Sequence, residues 1–327
     1  MRTMTLRRIA RIWALGALGA LLPLCASAGD LGGPADRGTS AAQFLKVAPG
    51  ARATGMGEAY SAACEDAYAA YYNPAGLARL RRVEVAASHQ QRFQGIAHEF
   101  AAAAVPLLSW TESKRERSEF GVLSLALTSL SVGGLERRGV VETDEPTGSF
   151  GAADFAYALG YGYAFGPRLS GGLTLKRIEQ RIDAYRASAV AVDAGGLYRA
   201  GRLSLSAGLR NFGGKVRFVN AADPLPFALY AGAAWRPADA WLIAADLRSP
   251  RDHRLGGSLG LEHRRRFAED LSGSLRAGYN SSNTDADGFG GVSLGGGVGY
   301  RQLELDFSWV PRGELGDSYL YSLQVKF

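Results

Sequence analysis

The last eleven residues, Asp317-Ser318-Tyr319-Leu320-Tyr321-Ser322-Leu323-Gln324-Val325-Lys326-Phe327, decide the fold. Tyr319, Tyr321, Leu323, Val325 and Phe327 share one parity, and Ser318, Leu320, Ser322, Gln324 and Lys326 the other. Successive side chains of a strand point to opposite faces, so this is a strand with one apolar and one mostly polar face. The pattern recurs upstream. Leu303, Leu305, Phe307 and Trp309 alternate with Glu304, Asp306 and Ser308. Leu271, Leu275, Ala277 and Tyr279 oppose Ser272, Ser274, Arg276 and Gly278, and Leu203, Leu205, Ala207 and Leu209 oppose Ser204, Ser206, Gly208 and Arg210. A soluble sandwich alternates in the same way, with its apolar face turned to a core. Context favours a membrane barrel. The segments often reach the roughly ten residues that a tilted strand needs to cross a bilayer, and they continue to the last residue. Trp235, Trp241, Tyr279, Tyr300, Trp309 and Tyr319 stand at strand ends, where interfacial girdles form.

Working back from the end, the expected strands are 83–93, 97–108, 119–131, 153–165, 168–182, 187–199, 202–211, 226–236, 240–248, 254–265, 270–281, 289–300, 302–310 and 318–327. That is about fourteen, an even number as in bacterial barrels. The run 97–105 is mostly alanine and reads equally well as a helix. Connections at 166–167, 199–201 and 237–239 are short and would face the periplasm, whereas 109–118, 132–152, 212–225 and 281–288 are long and would face outward. Before Arg82 the period of two is absent, and 44–80 reads as a compact segment of short helical pieces. A terminal aromatic on an alternating last strand also suits recognition by the barrel-assembly machinery through strand addition, which makes Phe327 the expected assembly signal.

The other end of the chain gives the compartment. Arg2, Arg7, Arg8 and Arg11 precede an apolar run from Ile12 to Leu24, followed by Ala26-Ser27-Ala28. This is the pattern of a signal peptide cleaved after Ala28, and the run is too short for the roughly 20 residues of a membrane helix. A lipoprotein signal using Cys25 is the weaker reading, because bulky Leu24 stands where a small residue is usual. Removing 1–28 takes away four arginines and no acid, lowering the formal charge from +6 to +2, so the basic precursor says little about partners. No basic run with interleaved aromatics suggests nucleic acid. Cys64 alone is left, which leaves no intrachain disulfide and no CxxC, and no metal or cofactor is expected.

Several blocks resemble the PorV/PorQ family, within the wider group of FadL-like outer-membrane proteins. They are FLKVAPGARATGMGEAYSA at 44–62, NPAGL at 73–77, LRNFGGKVRF at 209–218, LPFALYAGAAW at 225–235, SLRAGYN at 274–280 and LDFSWVPRGELGDSYLYSLQVKF at 305–327. The resemblance covers nearly the whole mature chain. It implies an all-β transmembrane fold: a fourteen-stranded antiparallel outer-membrane β-barrel over 83–327, with residues 29–82 as an N-terminal plug of short helices. Glu58 and Cys64 depart from the family block, each standing where a small residue is expected. FadL-like proteins move hydrophobic compounds through a plugged lumen, and PorV-like relatives instead act as carrier or attachment components of a type IX-like secretion machinery. The implied partners are accordingly outer-membrane lipid, the assembly machinery, and either a hydrophobic small molecule or secretion proteins.

Candidate sites follow from both readings. Pro49, Gly50, Gly55 and Gly57 superficially suggest a phosphate loop, but no strand precedes them and no Lys-Ser/Thr pair follows, so a tight turn in the plug is expected. Asn73, Pro74 and Gly76 read as a turn or as a hinge. Alternation places Arg210, Asp246, Glu262, Arg276, Arg301, Glu304, Asp306 and Lys326 inward, lining a path or holding the plug. Gly295, Gly297 and Gly299 would leave room for an apolar pocket, and Phe218, Pro224 and Pro226 would offer partner contacts in the secretion reading. His89, His98, His253 and His263 are scattered and no G-x-S-x-G occurs, so no enzyme is expected. A lipid hydrolase would need a Ser/His constellation that spacing does not reveal.

Overall fold

The computed structural model describes residues 38–107, 120–141, 144–283 and 289–327. Residues 1–28, read above as a signal peptide, the first part of the expected plug at 29–37, and the 109–118 connection lie outside the described residues. The strands of the first half are β1 (Glu84–Gln91), β2 (Ala97–Pro106), β3 (Val122–Arg137), β4 (Gly148–Ala164), β5 (Leu169–Ile182), β6 (Tyr185–Ala200) and β7 (Leu203–Gly213). A small hairpin, β8 (Lys215–Phe218) and β9 (Ala221–Pro224), follows. The second half supplies β10 (Ala228–Trp235), β11 (Trp241–Pro250), β12 (Gly256–Arg266), β13 (Leu271–Asn280), β14 (Val292–Tyr300), β15 (Leu303–Pro311) and β16 (Asp317–Lys326). Fourteen of these form one closed antiparallel barrel, sealed where β16 pairs with β1 from Glu84↔Lys326 to Gln91↔Tyr319. The β8–β9 hairpin pairs only with itself.

Closure follows from alternation combined with an interior that is not a conventional core. Leu125, Leu275 and Leu305 are 63, 71 and 59% exposed, whereas the intervening Ser124, Ser274 and Glu304 are buried. Apolar residues outside and polar residues inside invert the soluble sandwich and match a barrel whose outer face meets lipid. Trp235, Trp241 and Tyr300 mark the end of the barrel that carries the C-terminus, and Tyr279 and Tyr319 mark the opposite end.

Alanine-rich β2 is a strand because β1 and β3 pair along its whole length. Ladder pairing overrides helix propensity there. Its inward Ala102 and Ala104, with Phe100, also leave room for the plug tyrosines.

Loop expectations need three corrections. The 132–152 segment is partly strand, because β3 and β4 run on to Arg137 and Gly148. The 212–225 segment contains the β8–β9 hairpin. Strand direction places the end of β2 and the start of β3, which flank the expected 109–118 loop, at the same end as the short turns, so length alone does not tell outside from periplasm.

Candidate functional site

The N-terminal segment fills the lumen. It comprises a 3₁₀ turn (Gln43–Lys46), helix α1 (Ala51–Gly55), helix α2 (Ala69–Tyr72) and a 3₁₀ stretch (Pro74–Arg79). Such short helices are marginal alone, so burial must hold them. Tyr60, Tyr68, Tyr71 and Tyr72 supply that burial among many alanines. Tyr68 stacks on Phe100 at 5.4 Å, and Tyr72 donates to the Pro49 carbonyl at 2.9 Å. Gly50 begins α1 at φ +84, where an added Cβ would touch the Tyr68 ring at 3.0 Å. Gly57 takes φ +64 against the Tyr279 backbone. Gly55 lies within α1, not in a turn, and its missing side chain lets the helix approach Gly295.

One side of the plug is held by charge. Arg52 of α1 grips Glu262 of β12 through Nε and Nη2, each at 2.8 Å. Arg276 of β13 holds the same carboxylate at 2.7 Å and Asp306 of β15 at 2.6 Å. Glu304 pairs with Arg264 and lies 3.6 Å from Arg276. Thr54 and Ser308 share a hydroxyl contact of 2.6 Å. Further out, Glu58 pairs with Arg248 at 2.7 Å, and Asp246 accepts from the Tyr60 and Ser61 amides at 3.2 and 3.0 Å. Lys46 and Gln43 both bind Asp252. Buried charges must be paired in this way or they would neutralise.

The other side is held mainly by fit, with Glu65 paired to Arg199 of β6 beside it. Asn73 Oδ1 accepts from the Ala75 amide at 3.1 Å, while its Nδ2 donates to the Ser61 carbonyl at 3.0 Å and the Gly196 carbonyl at 3.3 Å. Pro74 then opens the 3₁₀ stretch with a fixed φ. The turn lies on β4, β5 and β6, where side chains at Gly162, Gly172 and Gly195 would occupy the space of Leu77, Pro74 and Asn73. Gly76 is needed for the same reason, against the Cys64 backbone. Burial raises the Cys64 thiol well above its ordinary range, keeping it neutral.

The plug divides the interior. Toward the outer end lies a cavity of about 330 Å³, floored by Thr54, Gly57, Glu58 and Tyr71 and walled in part by Leu45, Pro226 and Val310. Toward the C-terminal end lies an open recess of about 580 Å³ that reaches Arg264 and Glu304. The Arg52–Glu262–Arg276 pairs stand between them.

The inward positions sort as follows. Arg210, Asp246, Glu262, Arg276, Glu304 and Asp306 are buried in the lumen. Arg301 is not: it occupies the exposed β14–β15 turn at φ 53, beside Asp270 at 3.2 Å, because the turn interrupts the parity count. Lys326 sits at the rim, 3.9 Å from Glu84. On the inner face Gly55 fills the space at Gly295 and the Asp306 and Ser274 side chains crowd Gly297, while Gly299 borders the C-terminal recess; an open, largely apolar hollow of about 940 Å³ touches Gly297 and is lined chiefly by side chains such as Leu275, Leu305, Phe307 and Leu323. Pro226 is buried, Phe218 packs toward Phe44, and the Pro224 carbonyl accepts from the Ala41 amide at 2.9 Å, so this loop covers the plug's start. The Phe327 amide donates to the Val83 carbonyl at 2.9 Å, beside the seam.

The four histidines lie apart. His89 pairs with Glu99, His98 is fully buried, His253 lines the outer cavity, and His263 packs on Trp241 at 4.4 Å. Among the described residues no group of His, Cys, Asp and Glu could hold a metal.

Sequence reading missed Arg52, Arg248, Lys176 and Asp193. Arg248 shares the inward parity of Asp246 and was within reach. Arg52 was not, because the plug has no period to read.

No protein-family model matches the chain, and no curated protein matches it in sequence. Its fold is shared with solved outer-membrane barrels. The toluene transporter TodX of Pseudomonas putida superposes with a TM-score of 0.59 at 12% identity, over 84% of this chain and 96% of that one. The toluene transporter TbuX of Ralstonia pickettii gives 0.57 at 12%, over 85 and 98%. A FadL homologue of Pseudomonas aeruginosa gives 0.54 at 10%, over 85 and 98%.

Proposed function

We propose that the protein is a non-enzymatic outer-membrane conduit of the FadL-like kind, passing a small, largely apolar compound when the plug shifts. The observation that carries this reading is the position of the Arg52–Glu262 pair, between a cavity open to the outside and a recess open to the periplasm. On this reading, a ligand seated above α1 passes that contact on its way to the recess. Solved barrels of the same fold are described as toluene transporters, which supports the reading without identifying the ligand. Assembly would begin with Phe327 at the end of β16, presented to the assembly machinery in the envelope. Purified protein in liposomes should speed entry of toluene over protein-free liposomes. Equal rates would remove the conduit reading.

A second reading has one observation in its favour. Beyond Ser131 and Ala152, β3 and β4 pair only with each other, forming an exposed ribbon above the rim. Free strand edges suit β-augmentation by a partner, as the PorV/PorQ resemblance would require. Recovery of secretion components or exported cargo on the intact protein, but not on one lacking the ribbon tip, would favour attachment.

A further inference from the structure

One sector of the outer rim carries arginines on the face that elsewhere meets lipid. Near the outer end β13, β15 and β16 turn Tyr279, Trp309 and Tyr319 outward, whereas β5 turns out Arg177 and Arg181, and β6 Arg186. Arg177 and Arg181 share the parity of exposed Leu173 and Leu175, and Arg186 that of exposed Val190. The register brings two of them together: Arg181 and Arg186 are directly opposite each other in the β5–β6 ladder. Cβ atoms so placed lie about 5 Å apart, and like charges there are destabilising. Arg177 is paired with Glu179 at 2.7 Å, and nearby Asp183 is held by Arg137 at 2.6 Å. Arg181 donates to the Asp183 carbonyl at 3.4 Å, and neither Arg181 nor Arg186 forms an ion pair among the described residues.

An open, apolar hollow of about 600 Å³ on the outside of the wall leads up to this pair. It begins at Val85, next to the first residue of β1, crosses the small Ala101 and Ala103 beside exposed Leu125, and ends at Tyr157, Val190 and Arg177. Tyr157 is opposite Arg177 and stacks with Phe155 at 6.4 Å. Rings of this kind settle at the membrane interface, which puts the arginines at headgroup level. One outward row separates the hollow from Arg181 and Arg186, and in it Glu179 stands opposite Ser188. A carboxylate and a hydroxyl are partners for sugar hydroxyls. Apolar hollow, hydroxyl-binding row and two uncompensated cations therefore succeed one another up the outside of β5 and β6. That is the order of acyl chain, sugar and phosphate in a phosphorylated glycolipid.

We propose that this wall binds a phosphate-bearing glycolipid of the outer leaflet, with an acyl chain in the hollow and a phosphate on Arg181 and Arg186. The planar guanidinium fork suits phosphate oxygens, and a phosphate between the two arginines relieves their repulsion. The inference needs only the outer-membrane location and is independent of the conduit reading.

Native mass spectrometry of the whole protein in nonionic detergent tests the assignment with bis-phosphorylated lipid A and with the same lipid after both phosphates are removed. The phosphorylated form should bind at least about tenfold more tightly. Arg181→Gln with Arg186→Gln should weaken it about twenty-five-fold, roughly fivefold for each arginine. Both side chains are exposed, so the double variant should still resist unfolding in detergent, and Arg186→Gln alone, with a fivefold loss, serves if it does not. Ala101→Trp fills the hollow without touching charge and should weaken both lipids alike. Arg265→Gln removes an outward cation at the C-terminal end, beside Phe267, and should leave binding unchanged. Equal binding of the two lipids, binding unchanged in the folded arginine variants or in Ala101→Trp, or an equal loss in Arg265→Gln would overturn the proposal. Toluene flux without lipid A binding would remove this site and leave the conduit, whereas lipid A binding without flux would do the reverse.

Discussion

Where the plug meets β12, β13 and β15, buried ion pairs add to close packing at Gly260 and Gly278; where it meets β4, β5 and β6 the contact is mainly steric, with the partly exposed Glu65–Arg199 pair beside it. Arg52 reaches a carboxylate that Arg276 also holds, so Glu262 keeps a partner if the plug moves away. The Asn73-Pro74 turn fills glycine-lined space in the wall and has nowhere else to go. A buried ion pair gains little net energy over its desolvation, whereas close packing barely yields to displacement. On the proposed conduit reading the two attachments serve as a release and an anchor. A plug held by charge alone could be lost to solvent, and one held by fit alone could not open.

The strongest way to break this contrast is Arg276→Met. It leaves Glu262, Asp306 and Glu304 near one another with Arg52 and Arg264 as the remaining cations, and should cost about 4 kcal/mol. Urea unfolding would show the loss as a lower midpoint. Gly172→Val attacks the anchor by driving a side chain into the Pro74 backbone, with an expected cost of about 3 kcal/mol. Proteolysis within 44–80 should quicken while the strands stay protected, and unchanged plug protection would argue against the anchor.

Arg52→Gln attacks the release, removing charged hydrogen bonds at about 2 kcal/mol. Since Glu262 keeps Arg276, the barrel should stay folded while its conductance in planar bilayers rises. The smallest effect belongs to Asp252. Burial raises this carboxyl, but bonds from Lys46 and Gln43 more than offset it and hold it below the ordinary range. A depressed carboxyl contributes stability above its unfolded value of about 4, which is lost as pH falls through the lower folded one. Amide exchange at 43–46 should be slow near neutrality and quicken only in that acidic window.

The barrel was legible because its strands obey one rule, apolar out and polar in, from Glu84 to Lys326. All fourteen barrel strands fall within the expected segments or extend beyond them, and even alanine-rich β2 follows the rule once its neighbours pair with it. Parity fails where the chain turns, which is why Arg301 was read as inward. The plug obeys no period. Its contacts depend on which wall position faces which loop, so Arg52–Glu262 joins residues 210 apart that nothing local connects. Glu58 was visible as an odd acid in a small-residue block, and Arg248 carried the inward parity of Asp246, but nothing local joined the two.

A lock placed at the release tests the moving plug most directly. Thr54→Cys with Ser308→Cys, in a Cys64→Ser background, puts two thiols where the hydroxyls now meet at 2.6 Å. Oxidation would tie α1 to β15. Toluene flux into liposomes should stop in the oxidised protein and return on reduction, whereas equal flux in both states would contradict a path that opens by movement of the plug.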